Sequence, residues 1–238
     1  MKIALIGYGK MGKTIEQIAI ERGHEVVLRI SRSNQSDLNA EHLANADVAI
    51  EFTNPESAFE NVQKCLKVGT PVVCGSTGWN DKLDEAYKIC TEYNTAMLQS
   101  SNFSIGVNVF FKINEILAQM MNPYPEYEVG IEETHHTHKK DAPSGTAITI
   151  AEKILENLHR KKTWVKTQPN AAHELSILAH RIDEVPGTHV VKYSSPIDDI
   201  ELIHTAHNRD GFALGAVVSA EFLKGKKGIF TMKDVLGL

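Results

Sequence analysis

Short apolar runs and longer amphipathic stretches alternate through the first hundred residues. Residues 3–6 are continuously apolar and stop at Gly7, as expected of a strand covered on both faces in a parallel sheet. Met11, Ile15, Ile18 and Ala19 then recur at helical spacing, and Gly23 supplies a stop. Residues 25–30 predict a second strand, followed by a polar stretch over 31–39 and a third strand at 47–52. After the Asn54-Pro55 turn, Ala58, Phe59, Val62, Cys65 and Leu66 mark a helix that ends at Gly69. Strands at 71–74 and 96–99 flank a helix at 81–92. This alternation predicts an α/β sheet with right-handed crossovers.

The rhythm changes after Asn102. Ile105, Val109, Ile113, Ile116, Leu117 and Met120 form one apolar stripe, predicting a helix of about 17 residues. Asn122-Pro123-Tyr124-Pro125 breaks it; a strand is expected at 127–138, a helix at 146–158, and strand-like pieces from there to about 208. A last helix at 212–223 and an apolar turn at Val235-Leu236 are expected to rejoin the first part. The pattern divides the chain into 1–104 with 211–238, and 105–210.

Gly7-Tyr8-Gly9-Lys10-Met11-Gly12 places G-x-G-x-x-G between the first strand and the first helix. The glycines permit a tight turn and close approach of backbone to a pyrophosphate, and the helix N-terminus offers N–H groups to it. In this setting dinucleotide binding outweighs a merely structural turn. The fold class is therefore α/β: a parallel-sheet domain that binds a dinucleotide, plus a second domain in which the alternation does not continue. At the end of the second strand, Arg29-Ile30-Ser31-Arg32-Ser33 contains no acid to hold a ribose 2′-hydroxyl, and Arg32 with Ser31 and Ser33 could bind a 2′-phosphate. NADPH is favoured over NADH, with dual use open and a solvated Arg32 as the bland alternative.

Composition narrows the partners. Among 238 residues, 25 Lys plus Arg against 30 Asp plus Glu leave a net charge of -5, which argues against nucleic acid as the main partner. No apolar run reaches the roughly 18 residues of a membrane span. The first six residues are too short for a secretory signal, and Cys65, Cys74 and Cys90 lack C-x-x-C spacing, so reduced thiols and a cytoplasmic location are expected.

The segment Glu133-Thr134-His135-His136-Thr137-His138-Lys139-Lys140-Asp141-Ala142-Pro143-Ser144-Gly145-Thr146 carries the chemistry. If the strand continues, His135 and Lys139 share a side, pairing an imidazole with an ammonium for acid/base work. The turn then opens a helix whose first N–H groups, near Gly145 and Thr146, could hold a carboxylate. No metal is expected, because no Cys or H-E-x-x-H is nearby and the lysines repel a cation. On the residues alone, a solvated structural turn weighs about equally with catalysis.

That segment closely resembles the defining motif of the 4-hydroxy-tetrahydrodipicolinate reductase family, historically dihydrodipicolinate reductase, of the diaminopimelate route to lysine. The likeness extends to the glycine loop, Phe52-Thr53-Asn54-Pro55, Gly75-Ser76-Thr77-Gly78, Asn102-Phe103-Ser104-Ile105-Gly106-Val107-Asn108, His207-Asn208-Arg209, Phe212-Ala213-Leu214-Gly215-Ala216 and Met232-Lys233-Asp234-Val235-Leu236. The resemblance implies an NADPH- or NADH-dependent reductase with a Rossmann-type parallel-sheet cofactor domain, a second, mixed α+β substrate and oligomerisation domain, a small dicarboxylate substrate and a homotetramer. It implies acid/base work for His135, proton donation for Lys139, and carboxylate binding for His136, Gly145 and Thr146. It implies cofactor contacts from Gly7, Gly9, Lys10, Met11 and Gly12, from Gly75, Ser76 and Thr77, and from Ser100, Ser101, Asn102 and Phe103. With cofactor and substrate on separate domains, closure before hydride transfer is expected. Four departures stand out: Ser76 for the usual threonine, Lys140 where an apolar residue is common, no acid after Ile30, and a short region between Ser31 and Asp47. Another dehydrogenase of small amino or keto acids, and a non-catalytic nicotinamide-sensing module, remain the alternatives.

Overall fold

In the computed structural model, which describes residues 1–238, the alternating half of the chain becomes β1 (Lys2–Ile6), α1 (Lys10–Glu21), β2 (Glu25–Ile30), α2 (Ala40–Leu43), β3 (Val48–Glu51), α3 (Pro55–Val68), β4 (Val72–Cys74), α4 (Leu83–Glu92) and β5 (Ala96–Gln99). Every residue of β3 and β4 is buried, so a continuous apolar run reads as a strand with helices on both faces. Local chemistry sets the ends of α3. The Asn54 side chain accepts the Ser57 N–H at 3.0 Å, Pro55 opens the first turn, and Gly69 stops the helix at φ 86°.

The chain then forms α5 (Ile105–Met121), β6 (Glu128–His135), α6 (Gly145–Asn157), β7 (Thr163–Val165), β8 (Glu174–Arg181), β9 (Gly187–Ser194) and β10 (Asp199–Ala206). It ends with α7 (Asp210–Leu223), β11 (Gly228–Phe230) and α8 (Met232–Leu236). Two compact units result: Met1–Ile105 with Asp210–Leu238, and Gly106–Arg209.

The first unit holds a parallel six-stranded sheet in the order β11-β5-β4-β3-β1-β2. Strand order reverses beside β1, because β2 lies on one side of it and β3 on the other. The short helix α2 and the strand β11 are elements the sequence pattern does not predict; β11 shows why. Its three residues are too few to show a period, and pairing with Ala96–Leu98 is what makes them a strand.

The second unit holds a mixed five-stranded sheet, β10-β9-β6-β8-β7, with β6 central, antiparallel to β9 and parallel to β8. Val129 and Ile131 of β6 pack with Ile150, Ala151 and Ile154 of α6 and with Phe110 of α5. At roughly 1.5–3 kcal/mol for each large aliphatic side chain removed from water, this layer fixes which face of β6 points inward. The strand expected over 127–138 stops at His135. The parallel ladder ends at the His135–Arg181 pair and the antiparallel one at Thr134–Thr188, so no partner remains for residues beyond. No helix is long and apolar enough to cross a membrane.

Candidate active site

A cleft of about 430 Å³ opens at the carboxyl ends of β1, β2 and β3, where strand order reverses. Such a switch point is where open α/β sheets hold their ligands. Gly7, Gly9, Ser31 and Arg32 line it, together with Tyr8, Gln35, Thr53, Asn54 and Ser57, which were not selected as ligands from the sequence. Gly7 has φ +102°, and a Cβ on Gly12 would overlap the Gly7 carbonyl, so the loop can sit tightly under the start of α1 only as glycine. Lys10, Met11 and Gly12 form the first turn of α1, which has no side-chain cap and no acidic residue, leaving its positive end to an anion. These features fit a dinucleotide pyrophosphate. Arg29 is not available to it, because its guanidinium is paired with Glu16, whose carboxylate also accepts the Tyr8 hydroxyl.

The other expected cofactor residues follow β4 and β5. The Ser76 hydroxyl accepts the Thr53 N–H at 2.8 Å, tying Gly75-Ser76-Thr77 to the cleft wall. The Ser100 hydroxyl donates to the Asn102 carbonyl at 2.9 Å and accepts the Asn102 N–H at 3.2 Å, which folds Ser100, Ser101 and Asn102 into a tight turn. Phe103 is only 2% exposed and its ring lies 5.6 Å from that of Phe52, so it serves as core and can offer a ligand only its backbone.

In the second unit, the covered face of β6 carries Val129, Ile131, Glu133 and His135 in sequence, so an apolar stripe ends in a carboxyl and an imidazole. Register sets His189 opposite Glu133 and Arg181 opposite His135. Glu133 Oε2 lies 3.4 Å from His135 Nδ1 and 3.7 Å from His189 Nε2. Glu133 Oε1 accepts the Ser144 N–H at 3.0 Å and an Arg181 N–H at 3.2 Å. Burial alone would push the Glu133 carboxyl up, but His189 and the Ser144 donors outweigh it and bring the pKa down to about 2. Burial lowers the His135 ring to about 4, opposed by Glu133 and assisted by His189, Lys139 and Arg181. Near neutral pH the pair is thus an ionised carboxylate beside a neutral imidazole.

Because β6 ends at His135, strand alternation does not relate that ring to Lys139. The lysine lies in the following turn, its N–H bonded to the His136 carbonyl at 3.1 Å and its ammonium 2.9 Å from Asp141. This ion pair is partly exposed and worth about 0–1 kcal/mol, so a substrate carboxylate could replace it at small cost. His136 is half-buried, with its ring 6.3 Å from that of His138. Gly145 and Thr146 begin α6, which Ser144 caps by accepting the Ala147 N–H at 3.2 Å; open space lies beside Gly145.

Glu133, His135 and His189 each place a metal-ligand atom within 4.8 Å of the others. The Arg181 guanidinium on the same carboxylate already supplies the balancing positive charge, and with Lys139 nearby it disfavours a cation. Glu133, Arg181 and His189 are functional candidates that sequence reasoning missed. Glu133 alone was findable, two positions before His135 in an alternating strand.

A parallel sheet with a glycine loop at its switch point, together with a buried acid–imidazole cluster on a second sheet, defines a nicotinamide-dependent oxidoreductase. The chain belongs to the dihydrodipicolinate reductase family: the model of that family's N-terminus matches residues 1–103 and that of its C-terminus residues 106–236. It is 51% identical to a 4-hydroxy-tetrahydrodipicolinate reductase of Christiangramia forsetii, over 99% of this chain and 98% of that protein. It is 34% identical to the reductase of the same name from Neisseria gonorrhoeae, over 94% and 84%. In fold it is similar to a dipicolinate-bound dihydrodipicolinate reductase from Paenisporosarcina sp. TG-14, with a TM-score of 0.80, 22% identity and 97% of each chain covered.

Proposed function

We propose that this protein reduces 4-hydroxy-tetrahydrodipicolinate to tetrahydrodipicolinate, with the unit of residues 1–104 and 211–238 binding cofactor and that of 105–210 binding substrate. The observation that carries the reading is a family match running through both units, with the His135–Lys139–Gly145–Thr146 motif intact. Bound NADPH or NADH supplies the hydride, and one proton accompanies loss of the substrate hydroxyl as water. Lys139 exchanges Asp141 for substrate and brings its ammonium proton to the leaving group. His135, neutral near pH 7, relays protons, while His136 and the start of α6 at Gly145 and Thr146 hold a carboxylate. Arg32 at the cleft rim favours the 2′-phosphate of NADPH.

The uncovered face of the second sheet carries half-buried Leu178 and Val190 beside exposed Ile203, which supports assembly as a homotetramer through this unit. All three cysteines are free and buried, consistent with a cytoplasmic enzyme. The test is loss of the reduced-nicotinamide absorbance, with substrate generated in situ from pyruvate and aspartate semialdehyde by the preceding enzyme. Turnover is expected in the wild type, and His135→Ala and Lys139→Ala should lower it by about 10²–10⁴ with cofactor binding intact. No turnover by folded wild-type protein would overturn the reading.

A further inference from the structure

Glu133 is 1% exposed, and its two oxygens are used unequally. Oε1 is saturated by Ser144 and Arg181, and the same Arg181 nitrogen donates to the Asp141 carbonyl at 2.5 Å. Oε2 has no hydrogen-bond partner, and neither has His135 Nδ1, although both are buried and 3.4 Å apart. A buried charge left without a donor is costly, and Nδ1–H is the donor closest to Oε2. His189 Nε2 lies farther from Oε2, at 3.7 Å, and has another partner in the Ser144 hydroxyl at 3.3 Å. On the other side of the ring, Gly187 of β9 adjoins His135 Nε2, where a Cβ would come within 3.0 Å of it. The glycine keeps position 187 from crowding Nε2.

We propose that Glu133 is the positioning residue of this site, fixing His135 as the neutral Nδ1–H tautomer so that Nε2 is the atom that exchanges protons with substrate. Through Ser144 and Arg181, the same carboxylate holds the 141–145 turn and the start of α6 in register with that ring. One buried group thereby couples the acid/base atom to the carboxylate-binding helix end. The charged and titratable groups facing the ring are Glu133 on its own strand, Arg181 of β8, His189 of β9 and Lys139 of the following turn. The consequence for turnover rests on the reductase reading; the tautomer does not.

Nitrogen-15 spectra of histidine-labelled wild-type protein at neutral pH, with His135 assigned by the signals lost in His135→Asn, read the tautomer without substrate. A protonated Nδ1 and an unprotonated Nε2 are expected; the reverse assignment overturns the proposal. Glu133→Gln keeps a carbonyl oxygen for Ser144 but removes the charge. It is expected to mix the two tautomers and lower kcat by about 10²-fold or more, with substrate KM and cofactor Kd changed less than about threefold. A kcat within about threefold of wild type, or an unaltered tautomer, would refute the positioning role. If Glu133→Gln does not fold, the wild-type tautomer decides alone. Absence of wild-type turnover would remove the reductase reading while leaving the tautomer result standing.

Discussion

Lowering the pH from 7 to 4.5 should destabilise the second unit through one imidazole. The His135 ring is depressed from its ordinary 6.5 to about 4, chiefly because burial disfavours its charged form. In the unfolded chain the ring takes up a proton below about pH 6.5; in the folded protein it resists until about pH 4. Stability from this group is therefore complete above pH 6.5 and is lost as the pH falls toward 4. The full difference is worth about 3.4 kcal/mol, of which about 2.4 kcal/mol falls between pH 7 and pH 4.5. Glu133 adds only about 0.4 kcal/mol in that window, because its loss runs from about 4.5 down toward 2. The assay is urea unfolding followed by Trp164 of β7 in a Trp79→Phe background, since Trp79 is the other of the chain's 2 tryptophans. His135→Asn in that background removes this term and leaves the other histidines in place. Between the two pH values, the His135 protein should lose about 2 kcal/mol more than the asparagine variant. Losses equal within about 0.5 kcal/mol would show that burial does not hold His135 neutral.

Two further outcomes bear on the cofactor unit. Arg32→Ser should raise the KM for NADPH by about 10–150-fold and leave that for NADH near its starting value, since one charge-assisted phosphate contact is worth about 1.5–3 kcal/mol; equal effects on both in steady-state assays would remove Arg32 as the phosphate ligand. Gly12→Ala drives a methyl into the Gly7 carbonyl, so calorimetry should show a loss of about 1–3 kcal/mol with cofactor affinity reduced; an unchanged Tm would show that the loop can yield.

What could be read from residue order was local. The Gly7–Gly12 loop, the Asn54–Pro55 start of α3 and the Ser144 cap of α6 each depend on neighbours within a few positions, so their chemistry is visible in the chain. Strand and helix periods likewise located the long helices, β6 and the strands of the first unit, whereas β8, β9 and β10 showed only as strand-like pieces. Where the period was pushed beyond its support it failed: β6 does not run through Lys139, because its partner strands end first.

The cluster around His135 was decided by sheet register. Glu133 meets Arg181 across 48 residues of chain, and Ser144 meets His189 across 45, distances over which no local pattern carries information. The same holds for β11, which is a strand only because β5 offers it an edge. Residue order by itself determined most of the longer segments of the first unit, which loop could receive a pyrophosphate and which motif held the candidate acid/base groups. Tertiary structure alone decided that Glu133 is buried and charged beneath His135 and that the imidazole is neutral. Protonation depends on solvent exclusion and on charges brought in from other strands, and neither exists until the sheet has formed.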